Sequence, residues 1–236
     1  MVRRPPGKNA GKTTRAEDRR AVSSDGPASD LSRLSEKKAA LDSRNGSLSI
    51  GSQGAAFLDR DGVISRQTAF VNRLADLVLI EGAAEAIARL NRAAIPVVIV
   101  TNQGGVGMGY LTEETLRSIH QRLEEELARA GAHVEAIYYC PHMANAKLEA
   151  YRIDCPCRKP GTGMLEKARD ELGIDLAASV MIGDSTTDIL AGQRAGCRTI
   201  LVQTGFAGTD GKVEAIPDAV AADLPAAVDL ILGDSS

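Results

Sequence analysis

The chain has 236 residues and 24.8 kDa, with 28 Lys and Arg against 31 Asp and Glu, enough length for one domain with a full core and some excess. A hydrophobic fraction of 44% is ordinary for a globular protein. No apolar run approaches the roughly 18 residues of a membrane span and none has the form of a signal-peptide core, so a cytoplasmic protein is expected. The lack of Trp, with three Phe and four Tyr, argues against an aromatic platform for single-stranded nucleic acid.

Charge is unevenly spread. Residues 1–50 carry 11 Lys and Arg against 6 Asp and Glu, a net of +5, which leaves −8 for the remainder. Residues 1–52 have no hydrophobic period and are rich in Arg, Lys, Ser, Gly and Pro, so they are expected to form a flexible basic tail ahead of a domain spanning 53–236. Gly7–Thr13 imitates a phosphate-binding P-loop but is one residue short and follows no strand. No nucleic-acid partner is expected beyond weak contacts of the tail.

The first strand is expected at Ala55–Leu58, an apolar run without helical period that leads directly into Asp59-Arg60-Asp61-Gly62. Open α/β sheets bind ligands at the carboxyl ends of their strands, and two carboxylates separated by one residue suit a Mg²⁺ site. The same four residues also have the composition of a turn. Val63–Ile80 is too short for a separate cap domain and is expected to form a loop or flap over the cleft. Gly82 opens a helix with Ala84, Ile87 and Leu90 on one face. Pro96–Val100 is a second strand, followed by Thr101, Asn102 and the glycine-rich turn Gln103–Gly109. Thr112 caps a helix with Leu116, Ile119, Leu123 and Leu127 inward. Ile137–Tyr139 is a short third strand. His120 and His133 have no partners at ligand spacing, which favours a surface or core role for both.

Cys140-Pro-His142 and Cys155-Pro-Cys157 place four soft ligands in two close pairs. That pattern fits a tetrahedral structural Zn²⁺ better than a disulfide, which leaves His142 unexplained. Arg158 and Lys159 follow the last ligand, so a metal clip there would fix where they point. Thr162 is expected to cap a helix with Leu165, Ala168 and Leu172 inward and Gly173 at its end. Val180–Ile182 is a fourth strand ending in Gly183-Asp184, with Ser185–Thr187 capping a helix that carries Asp188 and stops at Gly196. Cys197 is expected to be a small buried hydrophobe. Thr199–Val202, Asp218–Val220 and Leu224–Leu232 complete five or six β-α units, hence an α/β fold with a doubly wound parallel sheet.

Three strand ends thus supply Asp59 and Asp61, Thr101 and Asn102, and Asp184 with Asp188, while Lys159 arrives from the cysteine loop. Carboxylates around a hard cation, hydroxyl and amide donors and one ammonium make a receptor for a phosphoryl group. With no Ser–His pair in view, the available nucleophile is a carboxylate.

These residues resemble the haloacid dehalogenase (HAD) superfamily, whose four motifs appear in order as Asp59-Arg-Asp61-Gly-Val, Thr101-Asn102, Lys159-Pro160 and Gly183-Asp184 through Asp188. Phe57-Leu-Asp-Arg-Asp-Gly62, Ile137–His142 and Cys155–Pro160 are similar to the branch of heptose bisphosphate and histidinol-phosphate phosphatases, in which the cysteines and histidine hold structural zinc. The resemblance implies a HAD-like Rossmannoid sheet without a cap domain. It also implies an Mg²⁺-dependent phosphatase that cleaves the C7 phosphate of D-glycero-D-manno-heptose 1,7-bisphosphate through an aspartyl phosphate. Histidinol phosphate is the alternative substrate, and a non-catalytic phosphosugar-binding protein the alternative of another class.

By the same resemblance Asp59 is the nucleophile and Asp61 the acid and then base, its pKa raised by a neighbouring carboxylate. Mg²⁺ is held by Asp59, the Asp61 carbonyl and Asp184, with Asp188 in support. Thr101 and Lys159 hold the phosphoryl oxygens, and Cys140, His142, Cys155 and Cys157 the zinc. Arg158 contacts the rest of the substrate, with Gln67, Phe70, Asn102, Gln103, Gly104 and Ser185 as further substrate contacts. Ser185 and Met108 depart from the basic residues found at those positions in enterobacterial-type relatives.

Overall fold

The computed structural model describes residues 48–68 and 71–234, all within the compact unit Arg44–Ser236. The stretch through residue 47, including the P-loop imitation, lies outside the described residues, as do Ala69 and Phe70. Strands β1 (Ala56–Leu58), β2 (Val97–Asn102), β3 (Ala136–Cys140), β4 (Val180–Gly183), β5 (Arg198–Val202) and β6 (Ala219–Ala221) form one parallel sheet. Their spatial order is β3-β2-β1-β4-β5-β6. The helices are α1 (Ala83–Arg92), α2 (Gly104–Gly107), α3 (Glu113–Arg129), α4 (Gly163–Leu172), α5 (Thr186–Ala195) and α6 (Leu224–Leu232).

Period-two alternation divides the strand side chains between two cores. Ala56, Leu58, Val97, Ile99, Val180, Ile182, Ile200 and Val202 pack with residues of α1, α6 and the later turns of α3. Phe57, Val98, Val100 and Met181 point the other way, against Met164, Leu165 and Ala168 of α4 and Ala191 of α5. Both faces are covered, which is why the strands read as apolar runs rather than as polar–apolar alternation. Cys197 is 6% exposed and belongs to the second core. Leu48 and Ile50 pack against the first core, although composition assigns them to the tail. Two apolar residues with no period carry too little signal to mark a boundary.

Two local expectations are corrected. Thr162 occupies the N-cap position of α4, but its φ and ψ of −98° and −6° are not the extended values a side-chain cap needs, and its hydroxyl donates to Glu166 Oε1 at 2.8 Å. Leu172 lies at helical spacing from Leu165 and Ala168 yet is 41% exposed. The chain reverses at Gly173, with φ +69°, and Ile174 and Leu176 enter the core in its place.

No helix among the described residues is long and apolar enough to cross a membrane. Between β1 and Leu79 the chain makes isolated bridges and one turn of 3₁₀-helix at Leu74–Asp76, with no cap domain in the described part. The strand order reverses direction around β1 and β4, so a crevice opens beyond their carboxyl ends.

Candidate active site

Each strand that ends at this crevice delivers a polar group as its hydrogen-bonded ladder runs out. Asp59 follows β1, and its N–H still donates to Ile182 O of β4 at 3.0 Å, which fixes the backbone at the point where its carboxylate emerges. Thr101 and Asn102 close β2, and Asp184 follows β4. Lys159 enters from the cysteine loop and is 3% exposed. Its ammonium donates to Val100 O at 2.7 Å and lies 3.1 Å from Asp59 Oδ1 and 2.7 Å from Asp188 Oδ1. Burial alone would favour its neutral form, but Asp188 and Asp59 outweigh that and hold its pKa above the usual value.

Asp59, Asp184 and Asp188 converge, with carboxylate oxygens within 4.8 Å of one another. Burial, opposed by Lys159 and reinforced by Asp188 and Asp61, raises Asp59 to about 6. Burial and then Asp59 and Asp188 raise Asp184 to about 8. Buried carboxylates that repel one another are the hard-oxygen donor set a divalent cation such as Mg²⁺ satisfies. Two glycines make room for the Asp184 carboxylate. Gly62 and Gly205 have φ of +84° and +62°, and a Cβ on either would fall within about 2.2 Å of Asp184 Oδ2. The Phe206 N–H donates to the same oxygen at 2.7 Å.

Asp61 turns away from this cluster. Its two oxygens accept from Arg60 Nε at 3.1 Å and Nη2 at 2.8 Å, and also from Ser65 Oγ at 3.0 Å and Gln103 Nε2 at 3.0 Å. Burial pushes its pKa up, but the Arg60 guanidinium and the hydrogen bonds of Arg60, Gln103 and Ser65 more than offset that and hold it below the usual carboxylate value. The expectation that a neighbouring carboxylate raises Asp61 is therefore reversed, because an arginine sits closer to it than any carboxylate. Arg60 is fully buried, and His120 Nε2 accepts from its Nη1 at 3.1 Å.

The remaining expected residues divide by what their side chains already hold. Gln103 lines the cleft, but its amide accepts from Arg60 and donates to Asp61 and Thr101. Asn102 also lines the cleft, yet it spends both ends of its amide on the backbone of Lys159, at 3.0 and 3.1 Å. The Ser185 hydroxyl is held by Asp188 Oδ2 at 2.7 Å in the capping box of α5. Gln67, Gly104 and Arg158 line the cleft, and Arg158 Nη1 donates to His142 O at 3.0 Å. Phe70 lies outside the described residues.

In the cysteine loop, ligand atoms of Cys140, His142 and Cys155 lie within 4.8 Å of one another. Cys157, two residues beyond Cys155, lies outside that group of three, and all four cysteines of the chain are free thiols. Burial pushes Cys140 up to about 12. Soft donors in two pairs fit Zn²⁺. The loop folds back on itself through Arg158 N to Cys155 O and Gly161 N to Arg158 O, at 3.0 and 2.7 Å, and so aims Arg158 and Lys159 at the crevice.

Arg60, His120, Phe206 and Lys212 are among the residues that sequence reasoning did not assign to the site. Arg60 carried a signal in its place between the two aspartates. The others come from segments with no motif.

A parallel sheet with a carboxylate at the end of β1, a carboxylate cluster and a buried lysine at its switch point has the arrangement of a hydrolase built on an α/β sheet. The family model described as HAD-hydrolase-like matches residues 156–227. A D-glycero-beta-D-manno-heptose-1,7-bisphosphate 7-phosphatase from Vibrio cholerae is 45% identical over 152 residues, covering 64% of this chain and 82% of that protein. The corresponding enzyme of Thermosynechococcus vestitus is 42% identical over 185 residues, covering 75% and 94%. Among solved structures, the D,D-heptose 1,7-bisphosphate phosphatase from B. bronchiseptica, complexed with magnesium and phosphate, superposes with a TM-score of 0.68 at 35% identity, covering 77% of this chain and 99% of that one. The chain belongs to the HAD-like phosphatase family that contains these enzymes.

Proposed function

We propose that this protein is a phosphatase that removes the C7 phosphate of D-glycero-D-manno-heptose 1,7-bisphosphate, with Asp59 as nucleophile. The observation that carries the chemistry is the Lys159 ammonium, 3.1 Å from Asp59 and 2.7 Å from Asp188 at the head of β1. It holds Asp59 as a carboxylate despite burial and leaves a cation where phosphoryl oxygens arrive. The identities of the relatives support the heptose bisphosphate over histidinol phosphate, and turnover over binding alone.

Asp59 attacks phosphorus, an oxygen–phosphorus bond forms as the bond to the sugar oxygen breaks, and Asp61 gives that oxygen its proton. Asp61 then takes a proton from water as the water oxygen attacks the aspartyl phosphate, releasing phosphate and restoring Asp59. Asp61 rests in its ionised form against Arg60. The negative charge of an arriving phosphate raises its pKa by like-charge repulsion, so that it takes up a proton from solvent before it serves as the acid. Thr101 and Lys159 hold phosphoryl oxygens. Asp59, Asp184 and the Asp61 carbonyl would hold Mg²⁺, with Asp188 in support, and the ion would neutralise charge on nucleophile and phosphate. Asn102 keeps Lys159 in register through its backbone. Cys140, His142, Cys155 and Cys157 would hold a structural zinc.

The test is a comparison of kcat/KM over heptose 1,7-bisphosphate, other sugar bisphosphates, sugar monophosphates and histidinol phosphate. Heptose 1,7-bisphosphate is expected to give the highest value. A higher value for histidinol phosphate would overturn the assignment.

A further inference from the structure

We propose that Lys212, carried on the loop between β5 and β6, pairs with Arg158 to form a second anion subsite that holds the phosphate not being cleaved. This rests on the phosphatase reading above and names a residue that selects its substrate.

The loop is built into the site rather than hung beside it. Thr204 Oγ1 donates to Gly62 O at 2.5 Å, Phe206 N to Asp184 Oδ2 at 2.7 Å and Gly208 N to Asp184 O at 2.8 Å. Further on, Thr186 N donates to Asp210 Oδ1 at 2.8 Å and Val213 N to Thr186 Oγ1 at 3.4 Å. The loop is thus fastened to the backbone behind Asp61, to the candidate metal ligand Asp184 and to the start of α5. That anchorage carries Lys212 to the wall of the cleft holding Asp59, Asp61 and Asp184, and to the wall of the adjoining cavity lined by Arg158 and Lys159.

Donor accounting then separates the cations that line these two cavities. Lys159 is held beside Asp59 by Asp59, Asp188 and Val100 O, where its charge serves the phosphoryl group being cleaved. Arg158 gives one nitrogen to His142 O. Lys212 lies 3.6 Å from Asp210 Oδ2, longer than the roughly 2.8 Å of a charge-assisted hydrogen bond, and its side chain is 55% exposed. Its ammonium stands 5.1 Å from the centre of the Phe206 ring, which restrains the stem at the mouth of the cleft without consuming a donor. A phosphate monoester carries close to two negative charges at neutral pH. Arg158 answers one with a planar fork, and Lys212 supplies a point charge on a flexible stem from the facing loop. A substrate with one phosphate leaves this pair unused.

The experiment compares wild type, Lys212→Ala and Lys212→Arg, with kcat/KM measured for heptose 1,7-bisphosphate, a hexose bisphosphate, the matching monophosphates and an aryl phosphate. Lys212→Ala is expected to lower kcat/KM for the preferred bisphosphate about tenfold more than for the aryl phosphate, mainly through KM, and Lys212→Arg to recover most of the difference. If wild type prefers heptose 1,7-bisphosphate but the alanine variant loses equally on all substrates, or on none, the inference fails and the phosphatase reading stands. If wild type prefers another bisphosphate and Lys212→Ala abolishes that preference, the subsite stands and the heptose assignment fails. A wild type with no preference for any bisphosphate overturns both.

Discussion

His120 Nε2 accepts a hydrogen bond from Arg60 Nη1 at 3.1 Å, deep in the wall behind the catalytic crevice. Arg60 is fully buried and grips Asp61 with two of its nitrogens, so His120 anchors the arginine that orients the candidate acid. Burial, aided by the Arg60 charge and opposed by Asp61, lowers the His120 pKa to about 3, and a neutral imidazole is what accepting from Arg60 requires.

This pair sets a pH dependence of stability. The folded His120 refuses a proton that the unfolded chain takes up below its ordinary value of 6.5. The contribution is therefore complete above pH 6.5 and is lost progressively as pH falls toward the folded value. The loss from this group is expected to be on the order of 3 kcal/mol between neutrality and about pH 4. His120→Gln keeps an acceptor for Arg60 and does not titrate, so its urea midpoint should fall less steeply with acid. Parallel slopes for the two proteins would contradict the assignment.

Asp59→Asn should abolish turnover of every phosphate ester while leaving the circular dichroism spectrum and the melting transition in place. Asp61→Asn removes proton transfer and should lower kcat by roughly 10² to 10⁴. An Asp59→Asn protein that keeps more than a few per cent of wild-type rate would remove Asp59 from the nucleophile's role.

The two donor sets suit different ions, one hard and one soft. EDTA treatment should stop activity and added Mg²⁺ should restore it, with about one zinc retained per chain by elemental analysis. Cys155→Ser should lower the melting temperature and slow catalysis together, since the same loop aims Arg158 and Lys159. Less than half an equivalent of zinc in freshly purified protein would count against the structural site.

Leu165 and Leu172 share a helical face but not an environment, being fully buried and 41% exposed. Leu165→Ala should cost roughly 2–5 kcal/mol in chemical denaturation. Leu172→Ala should fall within about 0.5 kcal/mol of wild type. Equal costs would mean that the last turn of α4 packs more closely than its exposure indicates.

What was legible in the sequence was local. A run such as Ala55–Leu58 reports burial on both faces, and a carboxylate just after it sits at a strand's carboxyl end whatever the rest of the chain does. The spacing of apolar residues likewise located α1, α3 and α4, because helical period survives without knowledge of neighbours, while α5 was read from its cap at Ser185–Thr187 and its stop at Gly196. The convergence of Cys140, His142 and Cys155 was expected for the same reason, since ligand type and spacing are properties of a short segment.

Only the tertiary structure decided what each polar group faces. Arg60 meets His120 across 60 positions of chain and Asn102 meets Lys159 across 57, and no period encodes such pairings. The ionisation of Asp61 turned on this. Sequence shows a second aspartate two residues away, whereas packing sets a buried guanidinium against it, and in a low-dielectric wall the nearer charge prevails. Lys212 was invisible for the same reason. Its loop has no motif, and its place at the cleft comes from hydrogen bonds to Gly62, Asp184 and Thr186, groups brought together only when the strands align in one sheet.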